Sequence, residues 1–334
     1  MKKLQMSTED HCQIMQKLST SLLLRFTLIF NLATSLIAFP MVIAASIALW
    51  KARVAKLFHI NVIIIFQVHL VGFFLHCFSR IVLHCLDLYN YAMLDYCDMT
   101  PSTIRCFAFR IQYVFGLWLI GATTVPLIIE RYIATIKSSS YEHMGCSLGI
   151  VMASLQVFLA VVLTSINFRN FSFEEPVMNY CMALKPGLVS NTEKAAIVSL
   201  CIQIIARILF HYLFKMNENL RRKQLTSSLS NRYSLEQNLK SMRTLKRFAD
   251  LQSIFMIIHM ALFIFILQIG PEVEKSTYIS LVEMNAPYPL YAVISIIVLL
   301  KKAHLNKVKL KKTLENHVNA DQNVYFENFK KFLH

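Results

Sequence analysis

Residues 127–136 read LIIERYIATI: a long apolar run that closes on two adjacent opposite charges and an aromatic ring. A helix that ends this way has left one solvent for another, so the reading depends on what surrounds it. The chain has 334 residues, of which 56% are hydrophobic and 16% are charged. Soluble domains carry about 25% charged residues. So much apolar surface has no place in a water-facing fold of this length, and a lipid bilayer is its natural solvent. The formal net charge of +15 does not indicate nucleic acid. The basic residues sit in bands between the apolar runs, as cytoplasmic loops do, rather than over one face.

Working outward from the Glu-Arg pair, seven runs are long enough to cross roughly 30 Å of hydrocarbon as helices. They are predicted at residues 26–50, 60–84, 106–132, 146–166, 194–216, 248–269 and 279–300. The expected organisation is an all-α membrane protein: an extracellular amino tail over 1–25, a seven-helix bundle over 26–300, and a cytoplasmic basic tail over 301–334. The seventh span is the weakest, because its outer half contains Glu283, Asn285, Pro287 and Pro289. Without it, six spans would leave both termini on one side.

Lysine and arginine set the predicted orientation. Lys51, Arg53 and Lys56 follow span one, and Lys137 follows span three. A cluster from Lys215 to Arg247 follows span five, and Lys301 to Lys331 follow span seven. The alternate loops are acidic instead, with Asp87, Asp95, Asp98, Glu174, Glu175, Glu272, Glu274 and Glu283. This places the amino end outside and the carboxyl end in the cytosol. Lys2, Lys3, Lys17 and Arg25 in the amino tail argue the other way, and the sum of the later loops outweighs them. The opening MKKLQMSTED has no signal-peptide pattern, so span one is expected to insert as its own anchor. Asn170-Phe171-Ser172 is a glycosylation sequon in a loop predicted to be external.

Among the cysteines, Cys77 and Cys201 fall inside spans as packing residues, and Cys146 lies near the inner surface. Cys85, Cys97, Cys106 and Cys181 fall at the outer surface, where disulfides persist. A Cys106–Cys181 bridge would tether the second outer loop over the bundle mouth. Cys97 competes for Cys181, and Cys85–Cys97 is the pair left over. Between Cys106 and Arg131 lie 25 residue steps, or about 38 Å of helix, enough to join both interfaces. Arg131 therefore belongs at the inner mouth when Cys106 is at the outer one. A charge there needs pairing, and Glu130 is adjacent. Sequence neighbours on a helix diverge, so facing helices must complete the pair's hydrogen bonds. The plainer reading is an Arg-Tyr interface anchor.

Seven spans, the span-three cysteine and Glu130-Arg131-Tyr132 resemble a G-protein-coupled receptor. The closer likeness lies in the inner segments. Glu130-Arg131-x-x-Ala134-Thr135 followed by Tyr141-Glu142, and LSNRYSLEQNLKSMRTLKRF over 229–248, are similar to the inner loops of nematode serpentine chemoreceptors. Leu229, Ser230, Arg232, Tyr233, Leu235, Asn238 and Leu239 carry the second match, with Pro289-Leu290-Tyr291 and Tyr325-Phe326 beside them. The pattern resembles class epsilon (Sre) most, with the alpha and beta classes sharing parts of it. Gln237 stands where that pattern has Glu, which removes a charge. The resemblance implies a plasma-membrane, multi-pass chemosensory receptor on sensory-neuron cilia that binds a small environmental or pheromone-like molecule. It implies coupling to a heterotrimeric G protein through Glu130, Arg131, Tyr132, Arg232, Tyr233 and Asn238.

From the residues themselves, Leu235, Leu239, Met242, Leu245 and Phe248 recur at steps of three and four, forming one stripe of a helix that continues into span six. Lys240, Arg243, Lys246 and Arg247 fill its other faces, suited to anionic lipid or an acidic partner. Thr226, Ser227, Ser228 and Ser230 are candidates for phosphorylation beside it. The tail from Lys301 reads as a basic surface helix or a solvated tail. Arg80, Arg110, Tyr113 and His259 are the ligand-pocket candidates, with His69, His76, Gln203 and Gln268 as further buried polar groups. The alternative for Arg80 and Arg110 is snorkelling to headgroups or to Asp87. No catalytic set, cofactor motif or metal-ligand spacing is found, and no enzyme is expected. A ligand-gated chemosensory channel with its amino end inside, or a secondary transporter built on inverted repeats, are the rival readings; no internal repeat is evident.

Overall fold

The computed structural model describes residues 8–54, 58–99, 101–137, 141, 144–169, 171, 180–181, 189–223 and 229–299. Seven of its helices are long and apolar enough to cross a membrane: Leu22–Lys51, Ile60–Met93, Thr103–Ile136, Ser147–Phe168, Thr192–Arg222, Ser241–Glu272 and Lys275–Leu299. Helices dominate for the reason anticipated: each satisfies its own backbone where no water is present. The residues left exposed on them are mainly apolar, such as Ile29, Ile37, Phe158, Ile205, Ile208 and Phe265. That is the surface a lipid-facing bundle presents, with polar side chains turned inward instead.

Several helices run beyond the predicted hydrophobic runs. Helix Leu229–Ile269 carries span six well past one end of its apolar window. Within it Leu239, Met242, Leu245 and Phe248 are all buried, so the stripe read from the sequence faces the bundle. There they meet Val62, Phe66, Leu127, Phe210 and Leu213 from spans two, three and five. The side chains of Leu235, Arg232 and Tyr233 lie outside the described residues, as do Asn170, Thr226–Ser228 and the basic tail from Lys301. Span seven does form. It is interrupted, however: one helix ends at Met284, and a second runs over residues 288–299. Pro287 and Pro289 explain the step, since neither can donate a backbone hydrogen bond.

Spans two and three pack along their length. At their closest, a Cβ on Gly116 would lie 2.6 Å from the Gly72 carbonyl oxygen and 2.9 Å from the His76 nitrogen. Small residues allow helix backbones to approach in this way, and dispersion then supplies the attraction that water supplies elsewhere.

The amino segment is not a loose tail. Thr8–Thr20 is a helix, and its Met15 and Leu18 are buried with Leu24, Leu28, Tyr91, Met99, Tyr180 and Ile279. His11 bonds the Met99 carbonyl at 3.2 Å. Cys12 is disulfide-bonded to Cys97, with a Cα–Cα distance of 4.5 Å. Cys12 was passed over in the sequence reading, and the leftover Cys85–Cys97 pair is incorrect: Cys85 is exposed and free. Cys85 sits on the lipid side of span two, whereas the packed amino helix brings Cys12 to the loop. Cys106 is bonded to Cys181, the first of the alternatives. Both bridges lie at one end of the bundle, opposite Arg131. Cys12→Ser releases the amino helix from its anchor. An expected loss of about 2 kcal/mol or more appears as a lower unfolding midpoint of the solubilised protein, with Cys85→Ser as the unchanged control.

Candidate functional site

Three polar assemblies lie along span three. At the disulfide-bearing end Glu283 is the centre. Its carboxylate receives Arg110 Nη2 at 2.7 Å and the Tyr180 hydroxyl at 3.2 Å on Oε1. On Oε2 it receives Arg80 Nη2 at 3.2 Å, with His84 Nε2 at 4.0 Å. Arg80 also donates to the backbone carbonyls of Glu283, at 2.9 Å, and Ala286. Asn31 reaches the same Glu283 carbonyl from span one at 3.0 Å. Pro287 removes the i+4 donor of the Glu283 carbonyl, which keeps only a long contact from the Ala286 N–H at 3.4 Å, and the guanidinium fills that gap. Arg110 Nε donates to the Cys181 carbonyl at 2.6 Å, so the second disulfide fixes a loop oxygen over the cluster. Tyr113 lies under both guanidinium groups, 4.8 Å from Arg110 and 5.4 Å from Arg80. Tyr180, outside the spans, has its acidity suppressed by burial and then by the Glu283 charge, which keeps its hydroxyl a donor.

Glu283 was the residue that sequence reasoning undervalued. It was counted as a loop acid, and its presence as a weakness of span seven. The available signal was charge balance: two arginines inside spans require an intramembrane anion. Arg80 and Arg110 pair with Glu283 and do not snorkel to Asp87. Asp87 is itself buried, with Oδ2 unpartnered among the described residues.

Beside the cluster is a cavity of about 80 Å³. Arg110, Tyr113, His259 and Glu283 form part of its wall, together with Val114, Leu117, Trp118, Asn167, Thr192, Met260, Phe263, Val282 and Ala286. Three of the four pocket candidates are thus brought together. The fourth, Arg80, is fully buried behind Glu283 and does not line the cavity.

The middle assembly surrounds a break. Span three is two helices, Thr103–Ala122 and Thr124–Ile136. Pro126 has no N–H for the Ala122 carbonyl, and its ring crowds that turn. Three consecutive carbonyls before the break each take a glutamine from a different helix. Gln156 of span four donates to Leu119 at 3.1 Å, Gln252 of span six to Ile120 at 3.1 Å, and Gln203 of span five to Gly121 at 3.0 Å. Thr123 at the break contacts His69 of span two at 2.8 Å, and the Tyr291 hydroxyl of span seven donates to Gln252. The sequence reading noted His69 and Gln203 singly and missed Pro126, Gln156 and Gln252. A proline at the middle of an apolar run was the usable signal. His69 and His76 serve neighbouring backbone and hydroxyl groups, and no cluster suited to a metal ion occurs among the described residues.

At the far end Arg131 makes a fork with Glu130, both contacts at 2.5 Å. Facing helices complete the pair, as its geometry demanded. Arg131 Nη1 donates to Asn238 at 3.2 Å and Ser241 at 3.1 Å, both on the extended span-six helix. Asn238 donates to Asn217 of span five at 3.1 Å, and Asn217 to Thr135 at 2.8 Å. Tyr141 donates to Glu130 from the following loop, and Asn61 of span two contacts Tyr141 at 3.4 Å. Burial and the Glu130 charge hold the Tyr141 proton on its oxygen. Burial lowers the neighbouring His59, opposed by Glu130. Tyr132 points away and is exposed, as befits a membrane-surface ring.

This architecture has known counterparts. A family model described as serpentine type 7TM GPCR receptor class ab chemoreceptor matches residues 9–334, and the chain belongs to that family. Serpentine receptor class beta-6 of Caenorhabditis elegans is 23% identical over 241 residues, covering 69% of this chain and 67% of that receptor. Class alpha/beta-14 of the same nematode is 27% identical over 160 residues, covering 45% and 39%. Class epsilon-2 is 28% identical over 147 residues, covering 42% and 35%. The latter two matches span less than half of those receptors. The expected epsilon class is not confirmed, since the family model is that of class ab and the similar receptors belong to the beta, alpha/beta and epsilon classes. The chain is a multi-pass membrane protein of a chemoreceptor family.

Removing the buried anion tests the outer assembly. Glu283→Gln strands two guanidinium groups, at an expected cost of about 3–5 kcal/mol. Adding Arg80→Gln should recover part of that loss, read as the thermal midpoint of the solubilised receptor.

Proposed function

We propose that this protein is a chemosensory receptor that binds a small molecule in the cavity beside Glu283 and activates a heterotrimeric G protein at the Arg131 end. The amino end and both disulfides are external in this reading, in accord with the charge bands of the loops. The protein resides in the plasma membrane, and the chemoreceptor family supports a sensory-neuron ciliary location. The observation that carries the proposal is the line of contacts along span three. A mainly apolar cavity bordered by Arg110 and Glu283 lies at one end, a side-chain clamp holds the helix break in the middle, and an arginine ties span six to span three at the other.

Such an arrangement has two states available to it. In the present one, Asn238 and Ser241 hold span six against Arg131, and a partner cannot enter between them. A ligand that contacts Arg110, His259 and Met260 touches spans three and six at once. Binding that favours a different packing of these spans shifts the equilibrium by its differential affinity alone. Glu130, Arg131 and Asn238, with the sequence candidates Arg232, Tyr233 and Tyr132, are the proposed docking residues.

Coupling is measured as G-protein activation in heterologous cells, with surface expression monitored. Asn238→Ala removes one charge-assisted bond of about 1.5–3 kcal/mol, so ligand-free signalling should rise several-fold. Arg131→Ala should abolish coupling at normal surface expression. With an active ligand in hand, Arg110→Ala should raise its half-maximal concentration at least about tenfold. A response that persists in cells lacking every G protein identifies a channel instead, and an amino-terminal epitope reachable only after permeabilisation refutes the orientation.

A further inference from the structure

We infer that the seam between spans five and six, at the Arg131 end of the bundle, binds an anionic phospholipid of the adjoining leaflet. Its acidic head lies on Lys215, Lys246 and Arg247, and its acyl chains follow the exposed isoleucines beyond them.

Two contacts draw the seam. Arg207 of span five pairs with Asp250 of span six. Seven residues further along span five, the Phe214 ring carries Lys246, whose Nζ is 4.4 Å from the ring centroid. Residues seven apart on a helix share a face, as do Lys246 and Asp250, four apart. The seam is open to its surroundings, for the Arg207 and Asp250 side chains are 31% and 29% exposed. Its level is fixed as well. Asn238 donates to Asn217 across the same two helices and accepts from Arg131. Lys215 is two residues from Asn217, or about 3 Å of rise, so it stands beside the Arg131 layer. Tyr212, exposed one turn before Lys215, is a ring of the kind found at the membrane surface.

Charge at this level is unbalanced. Lys215 adjoins Phe214 and Arg247 adjoins Lys246, and both are exposed. Neither of them, nor Lys246, has a carboxylate partner among the described residues. The acids on the seam are Asp250, already held by Arg207, and Glu218, one turn beyond Phe214. A ring orients an ammonium ion and does not neutralise it. Basic groups at a bilayer surface attract anionic lipid heads, and a lipid phosphate between the two helices would meet Lys246 and its flanking cations together.

By charge alone the basic residues of span six suit an anionic lipid or an acidic protein equally. The apolar residues beside them decide for the lipid. Exposed Ile208 lies seven residues before Lys215 on span five, and exposed Ile254 lies seven after Arg247 on span six. Ile204 and Ile258 extend the two rows toward the middle of the bilayer. Each exposed cation thus ends a lipid-facing apolar row. A molecule whose chains lie along these rows brings its head to the cations, whereas a soluble anion or an acidic protein reaches the cations only.

The full-length receptor in neutral detergent is offered equal amounts of dioleoylphosphatidylserine and dioleoylphosphatidylcholine, and retained lipid is counted by native mass spectrometry. Phosphatidylserine should be retained at least about tenfold over phosphatidylcholine. The combined variant Lys215→Gln, Lys246→Gln, Arg247→Gln should lose most of that preference. Lys215→Gln with Arg247→Gln, both exposed and outside the Lys246–Phe214 contact, should lose it several-fold and keep the thermal midpoint in lipid-free detergent. An equal charge removed from the basic tail, Lys309→Gln, Lys311→Gln, Lys312→Gln, should leave it intact. Equal retention of the two lipids overturns the site, as does a preference that survives both seam variants or falls as far in the tail variant. Glycerophosphoserine is the same head without chains; if it displaces the lipid at equal concentration, the site takes a free anion and the lipid assignment is overturned.

Discussion

A backbone carbonyl surrounded by hydrocarbon cannot fall back on water, and this constraint organises the whole bundle. Pro126 opens the central helix of the protein at its middle. The carbonyls before the opening are met by Gln156, Gln203 and Gln252 from three different spans, while His69 holds Thr123. The break at Thr123 thereby ties the rotation and depth of the surrounding helices to the carbonyls of Leu119, Ile120 and Gly121. A polar side chain inside a membrane protein is costly unless matched, so each glutamine tolerates few positions. The result is a bundle in which spans two, four, five, six and seven all refer to one short segment of span three.

The same logic operates at the step in span seven. There the chain turns out of helix between Met284 and Tyr288, and Arg80 occupies the carbonyls of Glu283 and Ala286. Placing a guanidinium in that position requires an anion within reach, which Glu283 supplies. Arg110 joins from span three and carries the constraint to the Cys181 loop. The ion cluster is therefore structural before it is functional. Its hydrogen bonds are used among its own members, and the adjacent cavity is left mainly apolar.

The number and type of elements were legible because they depend on bulk hydrophobicity, which composition records directly. The span-six stripe was legible because its periodicity follows from helix geometry alone. Arg131 and Glu130 could be paired by adjacency, and Asn238 was picked out by its motif. What was not legible depends on pairing across the bundle. Nothing local to Glu283 distinguishes a loop acid from a buried counter-ion; only its distance from Arg80 and Arg110 does. Gln156 and Gln252 are ordinary residues on their own helices, and their role exists only opposite an opened backbone. Cys12 belongs with Cys97 because a short helix folds back on the bundle, and helix docking leaves no mark on cysteine spacing.

That last bond has a consequence for how the molecule comes into being. Cys12 and Cys97 flank the first two spans and stand 85 positions apart. The two sulfurs share one side of the membrane in the bundle because the two intervening helices cross it in opposite directions. A chain in which just one of those two helices had crossed would hold the sulfurs on opposite faces, and each would be left as a spare thiol.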